Sequence, residues 1–244
     1  TMMKCDPVTG VCLLPEQDTP VDTAEVAARP GWVVHYAGDP MCSWCWGISP
    51  TVSAVETFCA EQGIEFSMTM GGLRAGGGDQ WNDAFKNFLR NEWRHIGQTT
   101  GQPFGFTLLE AAHFNYDTEP ACRAVATVKL LQARHQFPMT KVLQFFTAIQ
   151  HKFYVEGQDT TKVDFYASIC ASLALDFAEF SALFNSAEAQ QAVQQEFMRC
   201  RQQLAVRSFP TLLLEYNGTT KLRIEGYASQ EQVLTKLQEK IAAQ

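Results

Sequence analysis

Apolar and β-favouring residues first cluster at Trp32-Val33-Val34-His35-Tyr36, a run suited to a buried strand and closed by the turn residues Gly38-Asp39-Pro40. Past Met41-Cys42-Ser43-Trp44-Cys45, apolar or small positions at 48, 52, 55, 58 and 59 recur at helical spacing, and Gly63 supplies a stop before a second strand over Ile64–Met70. From Leu73 to about Arg201 the period stays helical, which predicts helices over 79–92, 118–134, 139–151, 162–173 and 186–204 with no strand between them. Gly76-Gly77-Gly78 leads into the first of these, and Asp117-Thr118-Glu119-Pro120 gives the second a cap and a first-turn proline. Strand character returns at Thr211–Glu215, Asn217-Gly218 marks a hairpin turn, and Lys221–Glu225 is its second arm. A final helix follows Gly226, with Val233, Leu237 and Ile241 on one stripe. The order predicts an α/β domain in two parts, 31–72 and 205–244, completed around an inserted all-helical domain over 73–204. Residues 1–30, polar and interrupted by Pro15, Pro20 and Pro30, read as an arm rather than a packed element.

Composition narrows the partners more than the fold. With 244 residues, 46% hydrophobic and 18% charged, the chain is neither disordered nor fibrous and is long enough for a sizeable core. Nineteen basic against 26 acidic residues give a net charge of -7, which argues against a protein held to nucleic-acid phosphates. No stretch approaches the roughly 18 consecutive apolar residues of a membrane span. The N-terminus lacks the basic-then-apolar run of a secretory signal, so the expected location is cytoplasmic. Eight cysteines stand at 5, 12, 42, 45, 59, 122, 170 and 200. They would staple a small secreted domain, but a chain of this size needs no staples. Cys59, Cys122, Cys170 and Cys200 sit among apolar neighbours in predicted helices and read as core residues.

Cys42 and Cys45 are one helical turn apart at the start of a predicted helix, a spacing at which two sulfurs interconvert between dithiol and disulfide. The unpaired amides and positive end of a helix favour thiolate, and free cysteine near pKa ~8.5 falls to roughly 3.5–7.5 in such sites. Cys42 is therefore the expected attacking sulfur and Cys45 the resolving one. Ser43 is placed to hydrogen-bond toward the sulfur, and Trp44 to offer an apolar face to a peptide or to glutathione. Structural zinc also uses C-x-x-C, but no second C-x-x-C or C-x-x-H is present, and His35, His95, His113, His135 and His151 are too dispersed to complete a site; no metal is expected. A second feature is Ser208-Phe209-Pro210-Thr211, just ahead of the returning strand. Such a proline can simply open an edge strand. If it faces the cysteines through a cis Phe209-Pro210 bond, it offers the Phe209 backbone for a β-like contact with substrate.

DPMCSWCWG at 39–47, SFPT at 208–211 and the long helical stretch between them resemble the DsbA-like thioredoxin superfamily over about residues 31–242. Together with NYDTEPACRA at 115–124 and TGQPF at 100–104, the motifs look closest to its cytosolic DsbM-type and FrnE-like branch. The resemblance implies a thioredoxin-like α/β fold with a large all-helical insertion, Cys42 as the exposed nucleophile, Cys45 as the resolving thiol and Pro210 as a cis proline. It also implies a reductase or isomerase acting on disulfide-containing proteins or glutathione mixed disulfides, with no tightly bound cofactor and with glutathione or an upstream thiol reductant as electron donor. Arg74 and Arg207 are candidates for the carboxylates of glutathione. A glutathione transferase of the kappa type or a 2-hydroxychromene-2-carboxylate isomerase is the main enzymatic alternative, although a single-thiol enzyme has no need of Cys45. A redox-inactive binding module is the other alternative. Two features stay outside the resemblance. Trp81, Phe85, Phe88, Leu89 and Trp93 form either an apolar wall above the site or, more simply, a packed helix face. Cys5 and Cys12, around the turn residues Asp6-Pro7 and Thr9-Gly10, are a possible second redox pair, a structural clip or two free thiols.

Overall fold

The computed structural model describes residues 2–15 and 31–243. Pro20, Pro30 and the rest of 16–30 lie outside the described residues. Seven strands and nine α-helices are assigned within the described residues. The chain opens with β1 (Lys4–Asp6) and β2 (Val11–Leu13), then β3 (Trp32–Gly38) leads into α1 (Ser43–Gly47) and α2 (Ser49–Gln62) before β4 (Glu65–Met70). Pro50 at the N-terminus of α2 and Gly63 at its C-cap in the left-handed region (φ 66°) mark its limits.

The connection from β4 to the last quarter of the chain is helical: α3 (Asp83–Thr100), α4 (Glu119–His135), α5 (Met139–Tyr154), α6 (Ala167–Ser172), α7 (Phe177–Phe184) and α8 (Ala187–Met198), linked by short 3₁₀ segments and closed by a π turn over Arg199–Gln203. β5 (Ser208–Phe209), β6 (Thr211–Tyr216), β7 (Thr219–Glu225) and α9 (Gln230–Ala242) complete the fold. The predicted 79–92 helix begins and ends later, because Asn82 caps it by accepting from the Phe85 amide and the stop is Gly101 (φ 79°). The predicted 162–173 helix is a 3₁₀ turn followed by the short α6, and α7 falls in a stretch to which no helix was assigned from periodicity.

The main sheet has the order β4-β3-β6-β7. β3 and β4 are parallel across the α1–α2 crossover; β6 runs antiparallel to β3 and to β7. This is a thioredoxin-like α/β core carrying an extensive helical insertion. Alternation sets its two faces: the His35 ring meets the Glu215 carboxylate at 3.0 Å on one, while on the other Tyr36 is wholly buried and packs edge-on against Phe146. A second, three-stranded sheet has the order β1-β2-β5. Residues 2–15 are therefore a packed hairpin and not an arm. Strands of three residues carry too little alternation to register as periodicity, and the strand that β2 pairs with lies at the far end of the chain.

Candidate active site

β3 delivers the chain to the cysteines through Gly38-Asp39-Pro40. A Cβ on Gly38 would stand 2.8 Å from the Tyr36 hydroxyl, so the missing side chain makes room for that phenol. Asp39 then folds back on its own loop. Its carboxylate accepts from the Met41 and Leu73 amides, each at 2.8 Å, and from the Cys122 thiol at 3.3 Å. Its backbone carbonyl accepts the Cys42 amide at 3.0 Å. Burial raises the Asp39 carboxyl above the ordinary carboxylate value, against the pull of the Met41 and Leu73 donors.

Cys42, in extended conformation, is the N-cap of α1, and Cys45 lies inside that helix. Both are free thiols, and the Cys45 sulfur is near enough to raise the Cys42 thiol. The Cys42 Sγ stands 3.9 Å from the Phe209 carbonyl oxygen, and Phe209–Pro210 is cis. The two motifs thus meet across 167 residues of sequence.

The surroundings of the pair differ from the expected ones in three respects. Cys42 is 0% exposed. Burial pushes its thiol well above the ordinary value, and the Cys45 sulfur and then the Asp39 charge push the same way. Expected as an exposed, acidified nucleophile, it is here covered and its thiol raised, because the desolvation of a closed site outweighs the helix end. The backbone of Phe209, expected to stand open to substrate, pairs with Cys12 of β2, and Ser208 pairs with Leu13. Trp44, expected as an open apolar face, is 1% exposed. Its ring packs against His95 and Tyr227, with centroids at 5.8 and 5.9 Å. The hairpin turn closes over it: the Gly10 position is so tight that a Cβ would fall 2.9 Å from Tyr227 Cβ and 3.2 Å from Trp44 Cε3. His95 Nε2 donates to the Pro7 carbonyl at 3.0 Å.

Ser43 is buried, and its hydroxyl accepts from Trp93 Nε1 at 3.2 Å, toward the insertion. Arg74 is engaged by Asp79 at 2.7 Å, and the Arg207 carbonyl accepts the Leu14 amide at 3.1 Å. Phe85, Leu89 and Trp93 are buried in an aromatic cluster with Tyr116, Phe153 and Tyr154. Within this aromatic face Trp93 reaches the head of α1, through Ser43, whereas Trp81 donates to the Ala111 carbonyl at 2.8 Å. Cys5 and Cys12 form a disulfide across β1 and β2. Among the described residues no group of three or more His, Cys, Asp and Glu side chains is placed to hold a metal, and no helix is long and apolar enough to cross a membrane.

Four residues near the sulfurs carried no chemical signal of their own in the sequence. Asp39 looked like turn material and Cys122 like plain core. Tyr36 looked like a strand residue, yet its buried phenol faces the Cys45 thiol, and with burial that thiol raises it. Tyr116 donates to the Met41 carbonyl at 2.6 Å. The quoted motifs now have a local physical reason. Within NYDTEPACRA, Tyr116 and Cys122 hold the Asp39–Met41 loop, and Thr118 Oγ1 accepts the Arg74 amide at 3.0 Å. Within TGQPF, the Gln102 side chain donates to the Trp46 carbonyl at 3.0 Å and the Pro103 carbonyl accepts Trp46 Nε1 at 2.8 Å, anchoring the end of α1.

No family model matches the chain. Among curated proteins it is similar to the ClpXP adapter protein SpxH of Halalkalibacterium halodurans, 25% identical over 219 residues; the match takes in 86% of this chain and 66% of that one, so the chain spans just under two thirds of that relative. Among solved structures, the cytosolic disulfide reductase DsbM of Pseudomonas aeruginosa superposes with a TM-score of 0.67 at 23% identity, over 87% of this chain and 100% of that one. DsbM has also been solved with glutathione, and that structure superposes at 0.61. These likenesses establish the fold. A candidate protein disulfide isomerase from Nitrosomonas europaea is nearer in sequence, 32% identical with a TM-score of 0.70. Because that similarity takes in 86% of this chain and 98% of the other, it is more than a common fold, and the chain belongs to the DsbA-like, thioredoxin-fold superfamily of disulfide oxidoreductases.

Proposed function

We propose that the chain is a cytoplasmic thiol–disulfide oxidoreductase of the DsbM and FrnE-like kind, reducing or isomerising protein disulfides and glutathione mixed disulfides through Cys42 and Cys45. The observation that carries this reading is the pair of free thiols at the head of α1, with Cys42 Sγ 3.9 Å from the Phe209 carbonyl beside Pro210. In the proposed cycle Cys42, as thiolate, attacks one sulfur of the substrate disulfide and the other leaves as thiolate. Cys45 then attacks Cys42 Sγ, which releases the second substrate thiol and leaves a Cys42–Cys45 disulfide. Two equivalents of a thiol donor such as glutathione, themselves oxidised to the disulfide, return two electrons and two protons and restore the dithiol. Pro210 and the Phe209 backbone, once released from its pairing with β2, orient the substrate strand.

Two free thiols one helical turn apart favour exchange over kappa-type transferase or isomerase chemistry, which has no use for Cys45. Arg74 is already paired with Asp79, so it is a weaker candidate for glutathione than the sequence implied. A cavity of about 390 Å³ between the hairpin and the Leu73–Arg74 loop, lined by Met2, Met3, Leu13, Leu73 and Arg74, is of a size for a small thiol peptide. Peptide mapping of the Cys42–Cys45 state in graded glutathione buffers tests the reading. A potential near the glutathione poise is expected; one near the roughly -120 mV of a strong oxidant would refute routine reduction. Cys42→Ser is expected to abolish turnover of a glutathionylated peptide, and Cys45→Ser to accumulate the Cys42 mixed disulfide. Faster turnover by Cys42→Ser than by Cys45→Ser would reverse the two roles.

A further inference from the structure

Two cysteine couples stand on neighbouring elements here, the β1–β2 hairpin and α1. Cys5 and Cys12 are joined, while Cys42 and Cys45 are thiols. Cys12 is in register with Phe209, whose carbonyl lies 3.9 Å from Cys42 Sγ, and α1, which carries Cys45, lies against β2. Cys12 is wholly buried at this junction; Cys5, on the outer strand, is half-buried. One sulfur of the bridge thus belongs to the closed site and the other to its rim. A purely structural clip is a poor account of the bridge. The turn it spans already holds itself, with the Asp6 carboxylate accepting the Val8 amide at 2.8 Å and the Asp6 carbonyl accepting the Gly10 amide at 2.9 Å. β2 is held in addition by its ladder to β5.

We propose that Cys5–Cys12 is a second redox centre that exchanges directly with Cys42–Cys45, with β2 occupying at Phe209 the strand position an external substrate would take. The proposal rests on the oxidoreductase reading above and adds to it an internal substrate. In one direction Cys42, as thiolate, attacks Cys12 Sγ: a Cys42–Cys12 bond forms, the Cys5–Cys12 bond breaks, and Cys5 leaves as thiolate. Cys45, as thiolate, then attacks Cys42 Sγ; the Cys42–Cys45 bond forms and Cys12 leaves. Two electrons pass from the helical pair, which is oxidised, to the hairpin pair, which is reduced, and the thiol protons of Cys42 and Cys45 end on Cys5 and Cys12. No outside oxidant enters. In the reverse direction a hairpin dithiol, formed by a solution thiol acting at the rim, hands its electrons to a Cys42–Cys45 disulfide that the same hairpin covers. The strand ladder replaces a bimolecular encounter with a preset one, so the exchange is independent of protein concentration.

The test uses two full-length variants and no added substrate. Cys45→Ser, prepared with Cys5–Cys12 oxidised, is expected to form a Cys42–Cys12 cross-link at pH 9, with a first-order rate unchanged on about tenfold dilution, as an intramolecular step requires. Cys5→Ser, prepared with Cys42–Cys45 oxidised, is expected to form the same cross-link from the other side. Acid quench, alkylation and peptide mapping read both, so a folding defect in one variant leaves the other as the test. Absence of the cross-link in both, or its appearance only in proportion to protein concentration, overturns the proposal. The wild-type protein is assayed in parallel on a glutathionylated peptide. Turnover without either cross-link removes the internal exchange and keeps the oxidoreductase; cross-links without turnover keep the internal exchange and remove the external substrate; absence of both removes both.

Discussion

Replacing Gly10 by alanine tests whether the hairpin governs access to Cys42. Gly10 has φ 67°, a left-handed conformation that costs alanine about 1–2 kcal/mol. That strain belongs to the hairpin turn whether it is docked or lifted, so it does not move the balance between the two. The contact with the rest of the protein does. The new methyl would stand 2.9 Å from Tyr227 Cβ, 3.1 Å from the Tyr227 amide nitrogen and 3.2 Å from Trp44 Cε3. One of those atoms is backbone and another is a buried ring carbon, so neither gives way cheaply. Overpacking of one methyl costs about 1–3 kcal/mol, which raises the lifted population roughly 5- to 150-fold. If alkylation of Cys42 proceeds through the lifted state, its rate rises by the same factor. The assay is iodoacetamide modification of the reduced Cys42–Cys45 pair with Cys5–Cys12 kept oxidised, followed by peptide mapping. Val8→Ala, at an exposed turn position, serves as the control and is expected to change nothing. A Gly10→Ala rate within about twofold of wild type, less than the lower bound of that packing cost, would refute the cover.

Three further perturbations follow from the same geometry. Gly71→Ala would place a Cβ 1.8 Å from Phe209 Cζ, so it is expected to displace β5, lower stability by about 1–3 kcal/mol in urea and raise Cys42 alkylation; a stable variant with slow alkylation would contradict the packing. Asp39→Asn removes a negative charge that raises the Cys42 thiol, so the pH profile of Cys42 alkylation is expected to move to lower pH. Mismatched donors at the same loop are expected to cost about 1–3 kcal/mol of stability, and a profile moved upward would refute the electrostatic role. Burial raises the thiols of Cys59, Cys170 and Cys200 from an ordinary 9.0 to about 12. Their folded-state values lie above the unfolded ones, so the stability they contribute is intact below pH 9 and is lost as pH climbs from there through 12. Urea midpoints are expected to hold up to pH ~8.5 and fall above it; a flat midpoint through pH ~11 would refute the linkage.

The frame of the fold was legible because its parts are long and locally encoded. Trp32–Tyr36, Ile64–Met70 and the Asn217-Gly218 hairpin each declare themselves within a few residues, and the cysteine pair and Ser208-Phe209-Pro210-Thr211 declare the chemistry. What stayed hidden depends on contacts distant in sequence. β2 is three residues long and acquires meaning only through its register with Ser208 and Phe209, which no local pattern contains. For the same reason the helix end at Cys42 suggested an acidified thiolate, while burial in the assembled site raises the thiol instead. Asp39 hid in a turn signature, since Gly38-Asp39-Pro40 reads identically whether its carboxylate meets water or the amides of Met41 and Leu73.

The span of 167 residues between Cys42 and Phe209 also bears on how the protein is made. A ribosome adding about 5–20 residues per second needs roughly 8–33 s to go from one to the other. Through that interval the nascent chain carries Cys5, Cys12, Cys42 and Cys45 with neither the β5 edge nor Tyr227 yet synthesised to close over them. During that interval these four sulfurs lack the cover that β5 and Tyr227 later supply, so a reducing compartment, and not the fold, is what keeps them as thiols.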